Sequence, residues 1–308
     1  MQSIDGKIFE GEKDMVNMGE VITAMVTPFD KNYNLDLESC SRLIDFLIKN
    51  GSDGILLSGT TGESPTLSDE EKIELFGFAK KNFGDKTKII AGTGSNDTKH
   101  SIELSKEAEK IGVDALLLVT PYYNKPTQMG LYKHFEAISS EVKIPIILYN
   151  VPSRTSRNID SKTCIELSKI DNICGVKEAS SDMKQIAEII RDTDEDFLVY
   201  SGNDGDTLPI LSLGGHGVIS VASHIIGNEI RKMISCFKNG DIGEASGLHR
   251  CLLDIFYGIF ITTNPIPIKE ALNLKGMRVG PTRAPLYQME EGDLQRFKNI
   301  LKKHKIIN

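Results

Sequence analysis

The sequence predicts an α/β fold, a (β/α)8 TIM barrel with a C-terminal helical addition. Three observations predict it. Short apolar runs recur at 21–27, 54–58, 88–92, 115–120, 145–149, 173–177, 197–201 and 217–221. Most are continuous rather than alternating, as expected of parallel strands buried on both faces. The stretches between them have helical spacing. After Asp36, for instance, Leu37, Cys40, Leu43, Ile44, Leu47 and Ile48 make one apolar stripe. A unit also repeats, because Asn50-Gly51-Ser52-Asp53-Gly54-Ile55 is echoed by Ile111-Gly112-Val113-Asp114-Ala115-Leu116 and more loosely at 213–219. Repeated β-α units with parallel strands give an open sheet or a closed barrel. Eight units favour the barrel, and no GxGxxG follows the first run.

Local signals place the elements. Ser68 and Glu71 have the spacing of a capping box, which opens a helix. Gly51 and Gly112 stand where helices should end. Residues 1–19 are polar and charged and are expected to be a flexible extension or added leader outside the fold. The barrel is expected over 20–228. Residues 229–308 show no clear further strand and are expected to form the helical addition.

Composition narrows the function. The chain has 308 residues, 40% hydrophobic and 26% charged, which suits one barrel domain of about 250 residues with an addition. The net charge is −7, and the basic residues form no dense patch. This argues against nucleic acid and anionic membranes as main partners. No apolar run approaches a membrane span or a signal peptide, so a cytoplasmic protein is expected. Cys40, Cys164, Cys174, Cys236 and Cys251 are odd in number and form no CxxC pair, which suggests reduced thiols. The six histidines show no paired metal-ligand spacing. They are expected on the surface or in helix packing, and no metal is expected.

A barrel's active site lies at the C-terminal ends of its strands, so the residues that close the runs are the candidates. Lys177 closes 173–177. A desolvated amine there would lose its proton readily and could attack a ketone to form an imine, or it could snorkel to the rim. Gly59-Thr60-Thr61-Gly62-Glu63 offers hydroxyls and turned backbone N–H groups to a carboxylate; an ordinary strand-to-helix turn would look the same. Tyr149 could relay protons or pack the rim. Arg154 could clamp a carboxylate or lie in solvent. Asp204 and Asp206 could face a ligand, but they read better as loop caps.

Taken together and in order, these motifs resemble the dihydrodipicolinate synthase / N-acetylneuraminate lyase family of pyruvate-dependent aldolases. The resemblance runs from about Val21 nearly to the C-terminus. Its further markers are Thr120-Pro121-Tyr122-Tyr123-Asn124-Lys125-Pro126, Tyr149-Asn150-Val151-Pro152-Ser153-Arg154-Thr155 and Gly175-Val176-Lys177-Glu178. It implies a Schiff base between Lys177 and pyruvate, with Thr60, Tyr149 and a Tyr123 from a neighbouring subunit relaying protons. Thr61 would hold the pyruvate carboxylate, and the backbone near Gly202 and Ile219 would line the pocket. Arg154 would hold the carboxylate of L-aspartate 4-semialdehyde, which favours the branch on the diaminopimelate and lysine pathway over the sialic acid lyases. The imine is its own electron sink, so no cofactor is implied. The family also implies a homotetramer built as a dimer of dimers. Two alternatives are another pyruvate aldolase and a catalytically idle 2-oxo-acid-binding protein; the full set Thr60, Tyr123, Tyr149 and Lys177 argues against idleness.

The resemblance draws attention to two more places. His224 stands where many relatives have asparagine, just after the eighth run. Ser64, Pro65, Asp69, Lys72, Asn96, His100 and Tyr122 match the cleft in which feedback-sensitive relatives bind lysine. His100 replaces the glutamate expected there, so weak or absent inhibition by lysine is expected.

Overall fold

The computed structural model describes residues 17–308. Eight parallel strands close into a barrel in chain order. They are β1 (Val21–Ala24), β2 (Gly54–Leu57), β3 (Lys88–Gly92), β4 (Ala115–Val119), β5 (Ile146–Asn150), β6 (Ile173–Glu178), β7 (Leu198–Ser201) and β8 (Gly217–Ser220). Each lies within or beside one of the eight predicted runs. Helices α1 (Leu37–Lys49), α2 (Asp69–Phe83), α3 (Thr98–Ile111) and α4 (Gln128–Ser139) cover the first half. Then come α5 (Pro152–Thr155), α6 (Ser161–Ser168), α7 (Met183–Asp192), α8 (Thr207–Ser212) and α9 (Ser223–Lys238). Helices α10 (Ile242–Gly258), α11 (Ile266–Leu274) and α12 (Glu291–Lys303) form the addition.

The helix ends follow the local chemistry. Asp36 caps α1 by accepting from the Ser39 N–H. The Ser68–Glu71 capping box is closed in both directions at the start of α2. Gly112 ends α3 with φ +84°, a left-handed conformation that a β-carbon disfavours.

The core has two layers. Cys40, Leu43, Ile44 and Leu47 of α1 are buried between the helices and the outer face of the barrel. Inside the barrel, Ile22, Leu56, Ile90, Leu117, Ile147, Tyr200 and Ile219 pack on one another. The inner layer is thus a filled core rather than a pore.

Two predicted boundaries need correction. Met18 is buried with the inner core, and the Gly19 carbonyl accepts from the Tyr200 hydroxyl at 2.8 Å. These two residues therefore belong to the barrel floor and not to a leader; residues 1–16 of that predicted segment lie outside the described residues. The predicted break at 228/229 falls inside α9, which runs on through Lys238 past a kink at Ile226. α9 is the barrel's own eighth helix, so the addition begins with α10.

One irregularity in the sheet matters for the site. Ile146 pairs with Ile173, but Ile147 pairs with Gly175, so β6 carries one extra residue, Cys174. A one-residue shift exchanges the two faces of a strand. The bulge brings Lys177 opposite Tyr149, in the inward-facing layer. Gly175 is needed beside it, because a β-carbon there would stand 2.4 Å from the Leu198 carbonyl oxygen.

Candidate active site

At the C-terminal mouth of the barrel lies a cavity of about 210 Å³. Its wall includes Gly59, Thr60, Tyr122, Tyr149, Val151 and Arg154. The loop after β2 supplies Thr60, the end of β5 supplies Tyr149, and the short α5 supplies Arg154.

Lys177 sits beside this cavity, 5% exposed, with Nζ 4.4 Å from the centre of the Tyr149 ring. Burial pushes its amine down to about 8. The Asp204 carboxylate opposes that shift and the Arg154 guanidinium adds to it. Compared with an ordinary value of 10.5, this raises the neutral fraction at pH 7 roughly 300-fold. Lys177 does not snorkel to the rim. Burial raises the Tyr149 phenol above its ordinary value, against the pull of Arg154 and a hydrogen bond with Thr60.

The other predicted residues are placed less uniformly. Thr61 is buried behind Thr60, and its hydroxyl accepts from Asn264 Nδ2 at 2.9 Å. Gly202 and Ile219 do not line the cavity. Gly202 donates its N–H to the Glu178 carbonyl at 2.7 Å, and a β-carbon on it would come within 2.7 Å of the Ala179 β-carbon. Ile219 is fully buried in the inner core. Tyr123 stands apart from the cluster, 90% exposed and with φ +70°.

Three buried carboxylates brace the surround of the site. Asp204 caps the turn after β8, accepting from the Ser220 hydroxyl and from Val221 and Ala222 N–H at 3.2 and 3.1 Å. It is a cap, as expected, and also the nearby anion that Lys177 senses. Glu178 accepts from Asn150, Ser180 N–H and Gln185, tying the ends of β5 and β6 together behind Tyr149 and Lys177. Glu63 is buried against Lys269 of α11 at 2.6 Å. For Glu178 and Glu63 the signal was position alone, next to Lys177 and within the glycine-flanked turn.

His224 is fully buried at the start of α9, where it does more than pack a helix. Its Nε2 accepts from the Val26 N–H at 3.1 Å and its Nδ1–H donates to the Val221 carbonyl at 2.8 Å. One donor and one acceptor are what an asparagine amide would also offer. The loops after β1 and β8 are thereby joined.

Similarity to known proteins agrees with this architecture. The sequence profile of the Dihydrodipicolinate synthetase family matches residues 17–304. The chain belongs to that family. It is 51% identical over 286 residues to the 4-hydroxy-tetrahydrodipicolinate synthase of Bacillus velezensis, covering 93% of this chain and 99% of that one. The crystal structure of a dihydrodipicolinate synthase from Bacillus anthracis superposes with TM-score 0.92 at 44% identity, covering 94% and 99% of the two chains. A dihydrodipicolinate synthase from Cyanidioschyzon merolae, solved with lysine bound, has TM-score 0.92 at 45% identity, with the same coverage. No helix among the described residues is long and apolar enough to cross a membrane.

The buried imidazole makes stability depend on pH. Burial lowers His224 from 6.5 to about 4. Between those values the unfolded chain takes up a proton that the folded chain refuses. This contribution is therefore fully present above pH 6.5 and is lost as pH falls towards 4, by up to about 3 kcal/mol. Urea unfolding of the wild type and of His224→Asn, compared from pH 8 to 4, should show the wild type losing more stability below 6.5. Parallel curves would rule this out.

Proposed function

We propose that the chain condenses pyruvate with L-aspartate 4-semialdehyde to give 4-hydroxy-tetrahydrodipicolinate, on the diaminopimelate and lysine pathway. The observation that carries the site assignment is the Lys177 amine, buried and lowered to about 8 beside Tyr149. Its lone pair attacks C2 of pyruvate, and loss of water leaves an imine. Once protonated, the imine withdraws electrons, so a C3 proton leaves and an enamine forms. The enamine C3 then bonds to the aldehyde carbon, whose oxygen takes up a proton and becomes the 4-hydroxyl. The semialdehyde's amino group, once deprotonated, attacks C2 of the restored imine, and Lys177 leaves as a free amine as the ring closes. Tyr149 and Thr60 carry protons to and from these intermediates. Thr61 and the backbone of the 59–63 loop hold the pyruvate carboxylate, and Arg154 at the cavity wall holds that of the semialdehyde. Gly202 and Ile219 serve the site by packing behind it.

Borohydride reduction with pyruvate should add a pyruvate-derived mass at Lys177, at a rate that climbs as pH rises through about 8 and then levels. Labelling elsewhere, or a midpoint near 10.5, defeats the assignment. In Arg154→Ala the same labelling should survive. Use of the semialdehyde should fall about tenfold to a hundredfold, because a hydrogen bond to a charged group contributes roughly 1.5–3 kcal/mol. Equal losses of both would place Arg154 in the pyruvate pocket.

The exposure of Tyr123 supports assembly. A tyrosine ring left in solvent, next in sequence to the cavity residue Tyr122, has a use if it enters a partner's site. A homotetramer built as a dimer of dimers would supply that partner. Sedimentation across a concentration series should show activity falling as dimers dissociate. A fully active monomer contradicts this.

Lysine should inhibit weakly or not at all. Ser64, Pro65, Asp69, Lys72, Asn96, His100 and Tyr122 line one cavity of about 520 Å³. Both of its carboxylates are already engaged: Asp69 by Lys72 Nζ at 3.2 Å and His100 Nε2 at 2.7 Å, and Asp97 by the Lys99 N–H at 2.9 Å, where it caps α3. Burial opposes the charge on Asp69, but those hydrogen bonds prevail and keep its carboxyl below the usual range. An incoming ammonium would meet Lys72 without a spare anion. Initial rates with rising L-lysine should stay flat, and saturable inhibition at submillimolar lysine refutes the charge argument.

A further inference from the structure

A buried polar network joins the C-terminal addition to the 59–63 loop. Thr61 and Asn264 are 203 positions apart in sequence and only 3% and 4% exposed. Asn264 lies just before α11 and donates its Nδ2–H to the Thr61 hydroxyl oxygen at 2.9 Å. Among the described residues, that hydroxyl has no other side-chain partner. Around this contact the loop is pinned from several sides. Thr27 donates its hydroxyl to the Gly62 carbonyl at 2.6 Å. Glu63, held at φ +58°, meets Lys269 Nζ at 2.6 Å and accepts from the Arg283 N–H at 2.8 Å. Lys269 in turn donates to the Pro281 carbonyl at 2.7 Å.

A hydroxyl has one donor and two acceptor sites, whereas an amide nitrogen only donates. The bond from Asn264 therefore occupies an acceptor site on Thr61 and leaves its O–H to donate. A carboxylate only accepts. A buried donor already turned towards its acceptor needs no reorganisation when the anion arrives. We propose that Asn264 is a positioning residue for pyruvate: its amide fixes the Thr61 hydroxyl as a donor to the pyruvate carboxylate, while the Lys269–Glu63 pair holds the loop that carries it. This rests on the reading that Thr61 binds that carboxylate. It gives the C-terminal addition a part in substrate affinity, in addition to covering the barrel.

The test follows borohydride trapping of pyruvate at Lys177 in the full chain as pyruvate is raised, which needs no second substrate. In Asn264→Ala the half-saturating pyruvate concentration should rise about tenfold. In the isosteric Asn264→Asp it should rise about tenfold to a hundredfold, because aspartate can only accept and would draw the Thr61 O–H to itself. In a Thr61→Val background, Asn264→Ala should add less than about twofold, the sign that both act through one contact. Circular dichroism checks folding, and the aspartate variant carries the test if the alanine variant does not fold. Unchanged half-saturation in Asn264→Asp overturns the proposal, since the amide would then serve Thr61 as an acceptor. So does an equal effect of Asn264→Ala with and without the Thr61 hydroxyl, which would make its role purely structural. If the unsubstituted chain traps no pyruvate, the pyruvate reading itself falls, and this inference with it.

Discussion

Everything at this site depends on keeping one lysine out of water. An exposed lysine is almost wholly protonated at neutral pH and is a poor nucleophile. Lys177 escapes that state because it lies at the end of an inward-facing layer of a closed barrel, with Tyr149 against it. Burial alone would favour the neutral amine still more. Asp204 pulls in the other direction from the turn after β8. The balance between apolar walls and one nearby carboxylate leaves the amine able to exchange a proton near physiological pH.

Such a site needs a rigid surround, and the structure supplies it with polar groups as much as apolar ones. Asp204, Glu178 and Glu63 are all buried carboxylates, and each is satisfied differently. Asp204 takes a hydroxyl and two backbone N–H groups. Glu178 takes amides and a backbone N–H. Glu63 takes a lysine and a backbone N–H. Leaving any of them half-paired would cost several kcal/mol, far more than an ordinary surface contact contributes. Each network therefore tends to hold one arrangement, and the three together brace the ends of β2, β5, β6 and β8.

The barrel was legible because its signals are local and repeated. Eight apolar runs, the stripe on α1, the capping box at Ser68 and the glycine at 112 each follow from short-range chemistry. Lys177, Thr60, Tyr149 and Arg154 were legible as strand-end residues, and three of these four line one cavity with Lys177 beside it. What was not legible depends on contacts between distant segments or on register. The extra residue at Cys174 leaves no mark in composition, yet it decides which face Lys177 occupies. Met18 has nothing around it in sequence to show that it seals the barrel floor. The exchange at His224 reads as a departure until both ring nitrogens are seen to find the partners an amide would have taken. The placement of α9 failed for a related reason, since a helix that belongs to the barrel and one that belongs to the addition have the same periodicity.

The chain's net charge of −7 does not hinder the binding of substrates that each carry a carboxylate. Fields at a cleft are set by the nearest few groups, because surface charges farther off are screened within about 8 Å at physiological ionic strength. Arg154 stands at the cavity wall, and Lys177 lies beside it. Of the carboxylates just behind, Glu63 is paired with Lys269 and Glu178 is wrapped in amides. The mouth therefore presents cations, and these anions behind it are already engaged. A small 2-oxo acid entering there meets Arg154 and Lys177 among largely uncharged walls, while the acidic surface elsewhere is screened from it.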